Sequence, residues 1–135
     1  MVWNSSVFVG TLLEIQQFAV VVEFVSRQNN EKWTLVAVYG PCQGEARDNF
    51  VNCLYNLSIP VDENWLLLGD FNFIWSIDNR NLPGGDLNDM FIFNEIIGHL
   101  GLLELPIRGR SYTWSNMQDI PLLEQLDWVF TFVDW

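Results

Sequence analysis

Asp70 and Asn72 follow directly on the apolar run Trp65-Leu66-Leu67-Leu68-Gly69, and Phe71 separates them. In an extended strand, residues at that spacing share one face while the residue between them turns to the other. Oxygen ligands just past the carboxyl end of a buried strand are well placed to hold a hard cation and a phosphate. Asp and Asn are also ordinary turn residues, so the segment alone equally describes a strand that ends in a polar turn. The lone carboxylate and carboxamide need company before they amount to a site.

The elements around them outline a layered fold. Thr11 to Phe18 alternates in part, with Leu13 and Ile15 on one face and Glu14 and Gln16 on the other. Ala19 to Val25 and Trp33 to Tyr39 are β-branched and apolar, and the polar run Arg27 to Lys32 between them reads as a hairpin connection. Gly40-Pro41 ends the third strand. Glu45 to Leu57 sets Ala46, Phe50, Val51, Leu54 and Leu57 at helical spacing, and Pro60 closes that helix. A second helix is predicted from an Asp86 N-cap to a Gly101 stop, with Met90, Phe93, Ile97 and Leu100 as its apolar face. Leu102 to Leu105, Ser111 to Ser115 and Gln125 to Phe132 read as further short strands. Strands mixed with two helices indicate an α/β or α+β layered fold around a buried sheet.

Composition bounds what such a fold can do. The chain has 135 residues, half of them apolar, with seven Trp and ten Phe, so it can build a real core and is not disordered. Six Lys plus Arg stand against seventeen Asp plus Glu, a net charge of -11. Such a surface repels polyanions, so any nucleic-acid role has to work through a local site or a metal. Cys42 and Cys53 lack the clustering of a zinc site and read as reduced thiols of an intracellular protein, in nucleus or cytoplasm. No Lys or Arg precedes Arg27, so a secretion signal is not expected, and the apolar stretch Phe18 to Val25, broken by Glu23, is too short for a membrane span.

Four ordered segments carry a family resemblance: Val38-Tyr39-Gly40-Pro41, Leu68-Gly69-Asp70-Phe71-Asn72, Tyr112-Thr113-Trp114-Ser115-Asn116, and Leu126-Asp127-Trp128-Val129-Phe130. In order and spacing they resemble the endonuclease/exonuclease/phosphatase family, specifically the endonuclease domain of LINE-type (non-LTR) retrotransposons. That resemblance implies a four-layer α/β sandwich, two sheets face to face with helices outside, cleaving phosphodiesters in DNA with Mg²⁺. It implies that Asp70 orients or deprotonates the attacking water and that Asn72 contacts the phosphate. It further implies a Tyr39 hydroxyl facing the scissile phosphate and an Asp127 that orients a catalytic histidine. The residue types suit the chemistry, because a water must be activated and charge building on phosphoryl oxygens must be offset.

Each residue also has a plainer reading. Tyr39 reads equally as a strand-end aromatic with its hydroxyl in water. Asp127 lies in an apolar strand and needs a partner. Trp114 and Trp128 read as core or sheet-face residues, Arg108 and Arg110 as solvated loop cations able to touch a phosphate backbone, and Asp86 and Asp89 as helix-start charges. The family pattern also has parts with no match here: an early Asn, a metal-binding Glu, and a closing Ser-Asp-His stretch. Asn4, Glu14 and Glu23 do not fit the first two, and His99, upstream of Asp127 on the second helix, reads as a surface histidine. The principal metal ligand is therefore unidentified.

The expectation is a single incomplete domain over residues 1-135, a partial sandwich that has lost most of its activity. Two alternatives remain: a non-catalytic module binding a protein partner through exposed sheet edges, and an active phosphoesterase on a small substrate.

Overall fold

The computed structural model describes residues 2–58 and 64–131. Strands β1 (Phe8–Ile15), β2 (Ala19–Ser26) and β3 (Lys32–Tyr39) form an antiparallel meander. Helix α1 (Glu45–Tyr55) then carries the chain across to β4 (Trp65–Asp70), which lies parallel to β3. A 3-10 turn at Ile77–Asn79 and helix α2 (Leu87–Leu100) precede β5 (Leu103–Glu104), and a ribbon of β6 (Trp114–Ser115) and β7 (Leu123–Glu124) leads to β8 (Asp127–Thr131). The main sheet runs β1-β2-β3-β4-β8-β5, and apart from β3–β4 its pairs are antiparallel. This is a mixed sheet of α+β character, as the sequence suggests. Of the four layers implied by the resemblance, the described residues form one helical layer and one main sheet, with the ribbon at its side.

The apolar pattern explains the layering. Val36 and Val38 of β3, Trp65 and Leu67 of β4, and Trp128 and Phe130 of β8 all turn to one face, where Phe50 and Leu54 of α1 and Phe93, Ile96 and Ile97 of α2 close over them. Nearly all of these side chains are fully out of water, and burial of each is worth about 1.5–3 kcal/mol. The opposite face carries a smaller cluster of Val22, Phe24 and Leu35, edged by half-buried Phe8, Val20, Trp33, Leu66 and Leu68.

Helix α2 has the predicted bounds. The Asp86 carboxylate accepts from the N–H groups of Asn88 and Asp89, and Gly101 ends the helix in the left-handed conformation. Helix α1 stops at Tyr55, short of Leu57: the Asn56 N–H still donates to the Asn52 carbonyl, but the Leu57 N–H tightens onto the Leu54 carbonyl. Pro60 and Phe132 lie outside the described residues. The first strand starts and ends three residues earlier than expected, at Phe8 and Ile15, and a bulge between Leu12 and Glu14 breaks the alternation read from the sequence. The Ser111 to Ser115 strand shrinks to Trp114–Ser115, and the last strand begins at Asp127.

Candidate active site

Cross-strand register brings three of the four expected residues into one row. Tyr39 is opposite Asp70 across the parallel β3–β4 pair, and Asp70 is opposite Asp127 across the antiparallel β4–β8 pair. All three sit on the face away from the helices, at the carboxyl end of β4, and Tyr39 and Asp70 line an open groove of about 540 Å³. Asn72, Cys42, Trp114 and Glu124 line the same groove with Tyr39 and Asp70. Tyr39 is 70% exposed, so its ring stands into solvent at the rim.

Asn72 reaches the row by a different route from the one its spacing suggests. Strand β4 ends at Asp70, Phe71 goes fully into the core, and Asn72 adopts a left-handed conformation with φ 53°. Asn is among the few residues that tolerate that region. Its backbone N–H donates to the Asp70 carboxylate at 2.9 Å, and its side-chain Nδ2 donates to the Gly40 carbonyl at 2.5 Å. A local turn, and not strand alternation, therefore joins the two polar groups.

Two glycines make the row possible. A Cβ on Gly69 would lie 1.9 Å from the Val38 carbonyl oxygen, and its φ of 144° suits glycine alone. A Cβ on Gly40 would lie 2.5 Å from the Phe50 ring, so the chain passes between α1 and the site only without a side chain.

Burial holds the Asp70 carboxyl above the usual carboxylate range. The Asn72 N–H opposes that shift, and the Asp127 charge adds to it. Mg²⁺ takes oxygen ligands in an octahedron and is commonly bound through one or two carboxylates with a substrate phosphate. Asp70 and Asp127 offer such a pair, yet among the described residues no group of three or more His, Cys, Asp or Glu converges to hold a metal. These residues do not on their own fit a resident Mg²⁺.

The roles of several supporting residues are not legible in the sequence, even where a motif contains them. Thr113, at the centre of the Tyr112-Thr113-Trp114 segment, accepts from the backbone N–H groups of both Leu126 and Asp127 and so sets the start of β8. Asn116 closes the ribbon by accepting from Gln118 and Leu122. Arg47 of α1, with only 14% of its side chain exposed, pairs with Asp89 at 2.7 Å. Nothing local in the sequence marks an arginine inside a helix as different from any other. Asp89 is a helix-start charge of α2, as the sequence indicates, and carries this specific ion pair in addition. Trp128 is a core residue as read, its indole donating to the Phe73 carbonyl, while Trp114 is 42% exposed at the groove. Arg108 and Arg110 are exposed beside Gly109, and His99 is exposed on α2 with its ring 5.1 Å from that of Tyr55. Cys42 and Cys53 are free thiols. No helix among the described residues is long and apolar enough to cross a membrane.

The fold is similar to that of solved proteins of the endonuclease/exonuclease/phosphatase type. The chain is similar to the endonuclease domain of TRAS1, a telomere-specific non-LTR retrotransposon, with a TM-score of 0.74 at 16% identity over 98% of this chain and 59% of that one. It is also similar to the AP endonuclease LMAP of Leishmania major, with a TM-score of 0.62 at 11% identity over 89% of this chain and 47% of that one. In sequence it is 28% identical over 103 residues to an uncharacterized 149 kDa protein of transposon TX1 from Xenopus laevis. That match takes in 75% of this chain and 7% of the transposon protein. The chain therefore spans a small part of the curated relative and less than two thirds of either structure. No family model matches it.

Proposed function

We propose that this chain is the sheet-and-helix portion of a Mg²⁺-dependent, DNA-cleaving endonuclease domain of the non-LTR retrotransposon kind, acting inside the cell, and that these 135 residues alone do not cleave. The observation that carries the reading is the row Tyr39, Asp70, Asp127 in register across three strands, with Asn72 tied to Asp70. Asp70 keeps one carboxylate oxygen on the Asn72 N–H and has the other for the attacking water. Its raised pKa makes it a better base than an ordinary aspartate. The Asn72 carboxamide has two N–H donors, one of them on Gly40, and the second is assigned to the phosphate. The Tyr39 hydroxyl offers a further donor at the rim. Asp127 is assigned to orienting an imidazole. The sole histidine of the chain, His99, is on α2 against Tyr55, so that imidazole and the metal ligands have to come from outside the described residues. Removing a general acid or base costs about a hundredfold or more in rate.

Supercoiled-plasmid nicking with Mg²⁺, with EDTA, and with Asp70→Ala tests this. No nicking by a folded sample is expected. Cleavage that needs both Mg²⁺ and Asp70 would show that the site is complete in this chain and sink the inactive part of the reading.

A non-catalytic role has one observation in its favour. The outer strand β1 exposes Leu12, Leu13 and Ile15 at 55%, 56% and 69%, an apolar edge of the sort that pairs with another chain. A protein partner suits the net charge of -11 better than DNA does. A chain that stays monomeric in sedimentation and captures nothing reproducibly would count against it. Phosphatase assays on small phosphoesters address the remaining alternative, and a null result with Mg²⁺ titrated into the millimolar range would remove it.

A further inference from the structure

Arg47 makes more contacts to the site's backbone than any feature of its own helix requires. Its Nη1 donates to the carbonyls of Pro41 at 3.3 Å, Cys42 at 3.3 Å and Asn72 at 2.9 Å. Its Nη2 is on the Asp89 carboxylate, and the guanidinium carbon stands 3.8 Å over the Phe73 ring centroid. One nearly buried cation thus touches the turn after β3, the turn after β4 and the first turn of α2. Those two turns carry the groups that matter: Gly40 accepts the Asn72 side chain, and Asn72 donates to Asp70.

We propose that Arg47 is a positioning residue, a clamp that holds the Gly40–Cys42 turn against the Asn72 turn and so keeps Asn72 left-handed with its amide on Asp70. A non-glycine residue with positive φ costs about 1 kcal/mol or more and persists only where its surroundings over-determine it. Residue 72 is held at three points, by Asp70 on its N–H, by Gly40 on its carboxamide and by Arg47 on its carbonyl. The fork of the guanidinium is essential to this. A lysine ammonium could keep Asp89 or the carbonyls, but it lacks the flat geometry that spans both while stacking on Phe73. The plainer role, a strap between α1 and α2 through Asp89, uses only the ion pair and none of the three carbonyl contacts.

The clamp deepens the functional reading above, because it gives purpose to the placement of Asp70 and Asn72, but its test requires no catalysis. The full 135-residue chain is compared with Arg47→Lys and with Asp89→Asn, following the Asn72 backbone and side-chain amide signals by NMR and their hydrogen exchange. Arg47→Lys is expected to speed exchange of both Asn72 amides by about tenfold or more, the loss of one well-made hydrogen bond network. Asp89→Asn, which removes only the ion pair, is expected to leave them within about twofold. Equal effects of the two variants, or unmoved Asn72 signals in Arg47→Lys, would overturn the clamp. As a second check, glycine accepts positive φ freely, so Arg47→Lys should cost less melting temperature in an Asn72→Gly background than in the natural one. An undiminished cost would show that Arg47 does not serve residue 72. Failure of the nicking test leaves these outcomes untouched, and their failure leaves the nicking test standing.

Discussion

The two faces of β4 divide the labour of the molecule. Trp65 and Leu67 point under α1 and α2 and are almost wholly buried, whereas Leu66, Leu68 and Asp70 point the other way and are only partly covered. One strand therefore supplies anchorage on one side and a row of polar strand-end residues on the other. A carboxylate placed among Phe71, Phe93 and Phe130 would be prohibitively desolvated, while the same carboxylate on the open face keeps enough water to ionise. The contrast teaches that a sheet positions chemistry well when the face opposite the chemistry does the packing.

The severest way to break the contrast is Gly69→Ala. The added methyl meets the Val38 carbonyl, so β3 and β4 separate and both faces fail together. A loss of about 3 kcal/mol or more is expected, seen as a collapsed urea midpoint or no folded protein at all. Truncating one face at a time is milder and more telling. Leu67→Ala should cost about 2–5 kcal/mol because the residue is fully buried between sheet and helices. Leu68→Ala, on the half-open face, should cost well under half of that, and comparable midpoints for the two would refute the asymmetry.

Asp70→Asn sharpens the contrast with the opposite sign. The folded-state pKa of Asp70 lies above its unfolded value, so the native state favours the protonated form. The associated stability is present below the unfolded pKa and is lost as pH rises through the folded one. At neutral pH the charged carboxylate is thus a small liability, lessened by solvent because the group is only partly buried. Asp70→Asn should raise Tm by on the order of 2 °C at pH 7, with the gain vanishing in acid below the normal carboxylate range. Equal Tm differences at both pH values would show that burial does not act on this carboxyl. The smallest effect is expected at the sheet's outer edge, where Ile15→Lys should change stability by less than about 0.5 kcal/mol while lowering any self-association seen by light scattering.

Local signals account for what was legible. Asp86 and Gly101 bound α2 because a cap and a left-handed stop act within a turn of where they stand, and β2 and β3 follow from β-branched runs. Asp70 can be named from its own segment and Tyr39 and Asp127 only through the family resemblance, but no short-range rule places the three beside each other. The alternation of Leu13 and Ile15 does not carry through the first strand, because a bulge between Leu12 and Glu14 shifts register by one residue and alternation cannot announce it. Strand alternation places Asn72 beside Asp70, but in the structure a left-handed turn after the strand brings it there.

Sequence by itself determined the elements, the charge, and which short segments hold polar groups at strand ends, since each depends on neighbours within a few residues. Tertiary structure alone decided that Asp127 faces Asp70, that Thr113 sets the start of β8, and that Arg47 lands on Asn72. Those partners are far apart in the chain, and only packing two helices against one face of the sheet fixes which strand ends and loops arrive together on the other.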